Sequence, residues 1–220
     1  MIGPRAGGRR FLIWGGGGHG KVVADLVRAL GDEVVGFVDR DAAKIGQVVE
    51  PGGARVVLGE DDFLAGAGAH RAGAVALAVG DNAARLGCLA RAGASGVPAL
   101  VHPTAACSRS ATLGAGTVVL AAAVVNAAAA LGRAVIVNSG AVVEHDCVVG
   151  DGAHVSPGAV LAGGVHVGAR AWVGAGATVI QGVRVGSEAV VGAGAVVIRD
   201  VPDGVTVVGN PARVLAARRG

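Results

Sequence analysis

Three consecutive polar residues, Glu144, His145 and Asp146, interrupt the segment from Ala134 to Gly150, which carries no other charged side chain. A carboxylate beside an imidazole fixes its tautomer and raises its basicity, as a general base acting near neutral pH requires. A lone histidine on a surface coil is usually inert; two adjoining acids make chemistry the stronger reading. Asn138, seven residues before His145, and His154, nine residues after it, are further candidates. His145, His154 and His166, nine and twelve residues apart, are also weighed as metal ligands and set aside. No metal is expected, and His166 reads as a core-facing or solvated side chain.

A second candidate lies near the start of the chain. Gly15, Gly17 and Gly20 satisfy G-x-G-x-x-G, with Gly18 and His19 inside the pattern, between an apolar strand at 11–14 and helical spacing at 19–30. Asp39 closes a second strand, 34–38, about twenty residues later. Amides at a helix N-terminus would face a diphosphate, and Asp39 would reach a ribose or base. A tight turn without a ligand is the plain alternative. A nicotinamide dehydrogenase shares the pattern, but the α/β portion ends near residue 100, too early for a full doubly wound domain. Gly80, Asp81, Asn82 and Arg85 form another polar cluster between a strand at 74–79 and a helix at 82–92. Asn82 reads as the helix cap, and Arg85 as either a solvated side chain or a phosphate partner.

The elements that position these residues follow two different periods. Up to residue 100, alternating strands and helices predict a small Rossmann-like α/β domain. Over residues 101–220 the period is six: every sixth residue from Val101 to Val197 is aliphatic except Cys107, and a small residue follows four positions after each. Such a register matches neither helix nor flat strand and predicts a parallel β-helix. Gly114, Gly132, Gly150, Gly168 and Gly186 recur every eighteen residues, so three six-residue sides make a triangular coil. These glycines are expected at corners where a side chain or a negative φ would be awkward. The register does not fix the handedness of the coil, for which the general crossover rule alone would give a right-handed winding. His154 is half a coil from His145 and falls across the prism from it, so the two would converge only between subunits. Broad uncharged faces such as 121–131 predict a homo-oligomer, and the prism shape favours a homotrimer.

Composition agrees with narrow coils. Hydrophobic residues make up 52% and aromatics only 2%, with 40 glycines and no Tyr, so the core consists of small aliphatics. A net charge of +3, with basic pairs only at Arg9–Arg10 and Arg218–Arg219, gives no support to nucleic-acid binding. Cys88, Cys107 and Cys147 lack metal or redox spacing, and free thiols point to a cytoplasmic setting. The opening MIGPRAGGRRFLIWGGGG has too short an apolar run for a signal peptide, and no stretch reaches the length of a membrane span.

Taken in order, WGGGGHGKVVADL, GFVDRD, VGDN, VHPTA, VNSGAVVEHDCVVGDGAHVSPGAVLAGG and VVGNPARV resemble the bacterial sialic-acid-type sugar O-acyltransferases. That family includes acetyl-CoA-dependent N-acetyltransferases of nucleotide-linked 4-amino sugars, and the similarity spans almost the whole chain. The resemblance implies a left-handed β-helix of hexapeptide repeats. It also implies that His145 is the general base, oriented by Asp146, with Glu144 and Asn138 contributing locally. His154 would approach acetyl-CoA, the backbone near Gly163 would meet the thioester carbonyl, and Gly209, Asn210, Pro211 and Ala212 would lie along the coenzyme. Gly15, Gly17, Gly18, His19 and Gly20 would contact the nucleotide sugar, with Asp39 near the base. Arg40 stands where some UDP-sugar-binding members carry an acid, which leaves uracil or guanine open and makes GDP-perosamine a substrate that fits. O-acetylation of a free sugar or sialic acid, and a non-catalytic nucleotide-binding scaffold, are the competing readings.

Overall fold

The computed structural model describes residues 8–67 and 72–215. The first seven residues of the opening segment and the Arg218–Arg219 pair lie outside them. The chain divides into two compact units between Pro103 and Thr104.

In the first unit, a four-stranded parallel sheet runs β3 (Val56–Gly59), β2 (Glu33–Asp39), β1 (Arg10–Trp14), β4 (Ala74–Leu77). Helix α1 (Gly18–Ala29) connects β1 to β2, α2 (Glu60–Leu64) follows β3, and α3 (Asn82–Ala92) follows β4. The expected strands and helices are present with ends shifted by one or two residues; β3 and α2 are additions. Apolar spacing explains α1, which buries Val23, Leu26 and Val27 while Lys21, Val22 and Asp25 stay exposed. The sheet interior is sealed by Phe11, Ile13, Trp14 and Phe37, all at 1% exposure or less. The order of winding reverses at β1: β2 and β3 are added on one side of it and β4 on the other, so the carboxyl end of β1 lies at a topological switch point.

The second unit is a left-handed parallel β-helix. Its strands are two residues long and recur every six residues, for example Val142–Val143, Val148–Val149 and His154–Val155. They stack into three parallel sheets, each residue pairing with the one eighteen positions on, as Ile136 with His154 and His154 with Trp172. We number the faces by their strands: face 1 holds Ile136, His154 and Trp172; face 2 holds Val142 and Val160; face 3 holds Val148 and His166. The right-handed rule fails for a physical reason. It rests on strand twist feeding a crossover helix, and two-residue strands carry almost no twist.

The six-residue register forms the core. Val125, Val137, Val143, Val155, Leu161 and Val173 are fully buried, as are the small residues Ala123, Ala141, Ala153 and Ala171. Each buried Val or Leu contributes about 1.5–3 kcal/mol. The expectation for the eighteen-residue glycines is half corrected. A Cβ at Gly150 would stand 2.6 Å from the Ala169 amide of the next coil, so the glycines are needed for space, yet none adopts positive φ. The left-handed conformation falls two residues later and then every six residues from Gly116 to Gly194, occupied by non-glycine residues at Ala122, Ala128, Ala134, Asp146, Arg170 and Glu188.

Beyond the last coils, Thr206–Val208 pairs with Val190–Val191, and Arg213–Val214 folds back antiparallel onto it. Among the described residues, no helix is long and apolar enough to cross a membrane.

Candidate active site

His145 occupies the corner between faces 2 and 3, flanked by Val142–Val143 and Val148–Val149. Asp146 adopts φ +59° there, which turns its carboxylate back toward the imidazole. His145 Nδ1–H donates to Asp146 Oδ2 at 2.8 Å, and the His145 amide donates to Glu144 Oε2 at 3.3 Å. The hydrogen bond to Asp146, helped by the charges of Asp146 and Glu144, raises the His145 pKa above the ordinary histidine value. Nε2 is thereby the ring's accepting nitrogen.

The imidazole lies over Gly163, one coil on. A Cβ there would come within 2.6 Å of His145 Cε1 and Nε2, so only glycine leaves room for the ring. The backbone holds this arrangement: Gly164 N–H donates to His145 O at 2.9 Å, and Asp146 N–H to Ala127 O at 3.0 Å. The Gly163 amide faces no acceptor among the described residues. His166, on the adjoining strand of face 3, is outward and half-buried rather than core-facing, and donates from Nδ1 to Gly164 O at 3.1 Å.

His154 stands on face 1, opposite the corner that carries His145, as the half-coil offset requires. Within the protomer, Asn138 belongs with His154 rather than with His145. Asn138 Oδ1 accepts from the Ser139 amide at 2.8 Å, which orients its Nδ2 toward His154 Nε2 at 3.0 Å. His154 Nε2 is therefore an acceptor, and its proton sits on Nδ1. Trp172, one coil on, stacks on the His154 ring with centroids 5.9 Å apart and planes 5° apart. Sequence reasoning passed over Trp172, although its signal was legible: it is the only aromatic residue between Thr104 and Gly220, eighteen positions after His154.

Gly209, Asn210 and Pro211 form an exposed turn between Thr206–Val208 and Arg213–Val214. Two backbone bonds fasten it, from the Val196 amide to Gly209 O at 3.0 Å and from the Ala212 amide to Val196 O at 2.8 Å.

In the first unit, the glycine turn and the β4–α3 loop meet at the switch point. A Cβ on Gly15 would stand 2.6 Å from Ala78 O, and Gly15 adopts φ +123°. Nothing crowds Gly17 or Gly18, and Gly17 caps α1 without a side-chain acceptor, so the uncapped helix N-terminus is open to an anion. Asp39 is not the free acceptor that the sequence suggested. Only 8% exposed, it accepts from the Gly16 amide at 2.9 Å, the Asp41 amide at 2.9 Å and Lys44 Nζ at 3.1 Å. Burial pushes its pKa up, but the Asp41 and Gly16 amides and the Lys44 ammonium outweigh this and leave it below the usual value. Arg40, beside it, is exposed.

Two further expectations are corrected. The cap of α3 is Asp81, whose carboxylate accepts from the Ala84 amide at 2.7 Å; Asn82 is the first helical residue and accepts from Arg85 at 2.9 Å. Arg85 is 1% exposed and braces the loop through Val79 O and Gly80 O, both at 3.1 Å. Burial lowers its pKa to about 10, so it stays cationic at neutral pH. Burial, aided by that cation, lowers the His19 pKa to about 4 and keeps its imidazole neutral. Among the described residues, no three His, Cys, Asp or Glu side chains gather as a metal site would require.

Residues 10–92 match the family model of the PglD N-terminal domain. The chain is similar over its length to PerB of Caulobacter crescentus, solved with CoA and GDP-perosamine: 39% identity, TM-score 0.85, covering 94% of this chain and 97% of that one. It is also similar to the acetyltransferase domain of PglB from Neisseria gonorrhoeae, solved with acetyl coenzyme A: 41% identity, TM-score 0.85, covering 94% and 100%. WeeI from Acinetobacter baumannii is more distant, at 25% identity and TM-score 0.61, covering 93% and 99%. Comparison with the curated proteins finds no match.

Proposed function

The chain belongs to the hexapeptide-repeat acetyltransferase family of PerB and the PglB acetyltransferase domain, and from that premise we propose that it moves an acetyl group from acetyl-CoA to the amine of a nucleotide-linked 4-amino sugar. The observation that carries this reading is the Asp146–His145 pair lying over Gly163, whose backbone amide has no acceptor among the described residues. A base and an oxyanion donor within reach of one carbonyl are the two parts that direct acyl transfer needs.

The sugar amine attacks the thioester carbonyl while His145 Nε2 takes its proton. The Gly163 amide holds the oxygen that becomes negative. Collapse breaks the carbon–sulfur bond, forms the amide and expels the CoA thiolate, which receives the proton from the imidazolium. No covalent enzyme intermediate is required, because an amine is already a competent nucleophile. Glu144 steadies the local backbone through the His145 amide.

His154 and Asn138 enter this scheme from a neighbouring subunit. They lie on the opposite side of the prism from His145, so a homotrimer in which face 1 of one protomer abuts the His145 corner of the next completes the site. His154 then stands beside the acetyl-CoA held there, along with the exposed turn at Gly209, Asn210 and Pro211. The nucleotide diphosphate is held at the uncapped N-terminus of α1, by Gly17 and Gly18, with His19 neutral beside it. Asp39 and Arg85 act from behind, the first tying down Gly16 and the second bracing the facing loop around Asn82. Arg40, exposed after β2, leaves the base open between uracil and guanine.

Thiol release from acetyl-CoA, measured against GDP- and UDP-linked 4-amino sugars, tests the reading. Turnover with a nucleotide amino sugar, inhibited competitively by the matching nucleoside diphosphate, is the expected result. Equal turnover of the free amino sugar would refute the nucleotide-sugar assignment.

A further inference from the structure

Trp172 is the single aromatic residue in a solenoid whose interior is Val, Leu and Ala. It takes no part in that interior. Its side chain stands on the outside of face 1, 49% exposed, in register with His154. Two contacts hold it flat against the face: the stack on the His154 imidazole, and a hydrogen bond from its Nε1–H to the Ser156 hydroxyl at 2.7 Å. Ser156 is itself only 3% exposed. Leaving half an indole in water forgoes about 25 cal/mol for every Å² of apolar surface kept exposed, so packing alone does not account for the position. The ring is both immobilised and open to an incoming molecule, beside the histidine assigned to the acyl donor.

We propose that Trp172 is a specificity-determining residue that sets the length of the transferred acyl group: its fixed indole walls the space next to His154, accepting an acetyl group and obstructing longer chains. This rests on the proposed function, in which His154 of one protomer meets the acyl-CoA carried at its neighbour's His145. A flexible side chain would move aside for extra methylenes. An indole pinned at one face and at Nε1 has no second position to take.

The test compares kcat/KM for acetyl-, propionyl- and butyryl-CoA with the nucleotide amino sugar that the protein turns over, in the wild type, Trp172→Ala and Trp172→Phe. The wild type should favour acetyl- over butyryl-CoA by about a hundredfold, and Trp172→Ala should narrow that ratio about tenfold or more by gaining activity with butyryl-CoA. Trp172→Phe, which keeps a stacked ring, should stay near the wild type. An unchanged ratio, or an equal loss with every donor in Trp172→Ala, would show a merely structural role and overturn the proposal. Circular dichroism checks the fold, and Trp172→Leu replaces the alanine variant under the same criterion if that variant does not fold. A wild type active alike with all donors sinks this proposal and leaves the proposed function standing. A wild type that releases no thiol with any donor and any nucleotide amino sugar sinks both.

Discussion

In the proposed mechanism His145 carries the chemistry because of what its neighbours do to it, not because it is a histidine. The Asp146 carboxylate holds Nδ1 protonated, which leaves Nε2 to accept, and raises the pKa. Replacing His145 with Ala should lower the rate by two to four orders of magnitude on the general-base estimate of about 10²–10⁴; near-normal turnover would rule the mechanism out. A base must be unprotonated to act, so activity should fall as pH drops through the raised value. Asp146→Asn removes the main cause of that shift. The acid limb of its kcat/KM profile should therefore move to lower pH while the plateau drops, as a pH series on both proteins would reveal. The charged triplet was legible in the sequence because the surrounding coil is otherwise uncharged. The pairing of Asn138 with His154 was not, since residues sixteen apart in sequence meet only once the coil is wound.

At the scale of elements, the glycine turn depends on a carboxylate behind it. Asp39 joins β2 to the Gly16 amide and to Lys44, so it works as a fastening within the first unit. Asp39→Ala should cost about 1–3 kcal/mol by leaving buried donors unmet, readable in urea unfolding of the full chain. Because the folded pKa is depressed, this stabilisation is complete above the ordinary carboxylate value of about 3.9 and is lost as pH falls through the folded value. An unfolding midpoint unchanged at neutral pH would contradict this role. Helix α3 shows where sequence reading stops short. Its span from Asn82 to Ala92 was read correctly, but both Asp81 and Asn82 are residue types that cap helices, and only the backbone conformation decides between them. Likewise, nothing in the spacing of Arg85 distinguishes an outward face from the buried one it occupies.

For the whole molecule, the proposed mechanism makes assembly a catalytic requirement, because His145 and His154 lie on opposite sides of the coil. Co-expressed His145→Ala and His154→Ala chains should regain activity that neither has alone, about a quarter of wild type for random assortment, because some interfaces then pair an intact His145 with an intact His154. Full loss in the mixture, with trimers present by light scattering, would place both histidines in one chain's own site.

The solenoid, its six-residue sides and eighteen-residue coils, the α/β unit before it, and the charged triplet as an intrusion are all legible in the residues alone. Periodicity of this kind is local, repeated many times, and survives without knowledge of any long-range contact. Tertiary structure decided the rest. It moved the left-handed residues two places past the recurrent glycines, turned Asp39 and Arg85 inward, laid His145 over Gly163, and set Trp172 against His154. Each of those outcomes depends on which atoms of one coil or strand come to face another, and side-chain type alone does not encode that distance.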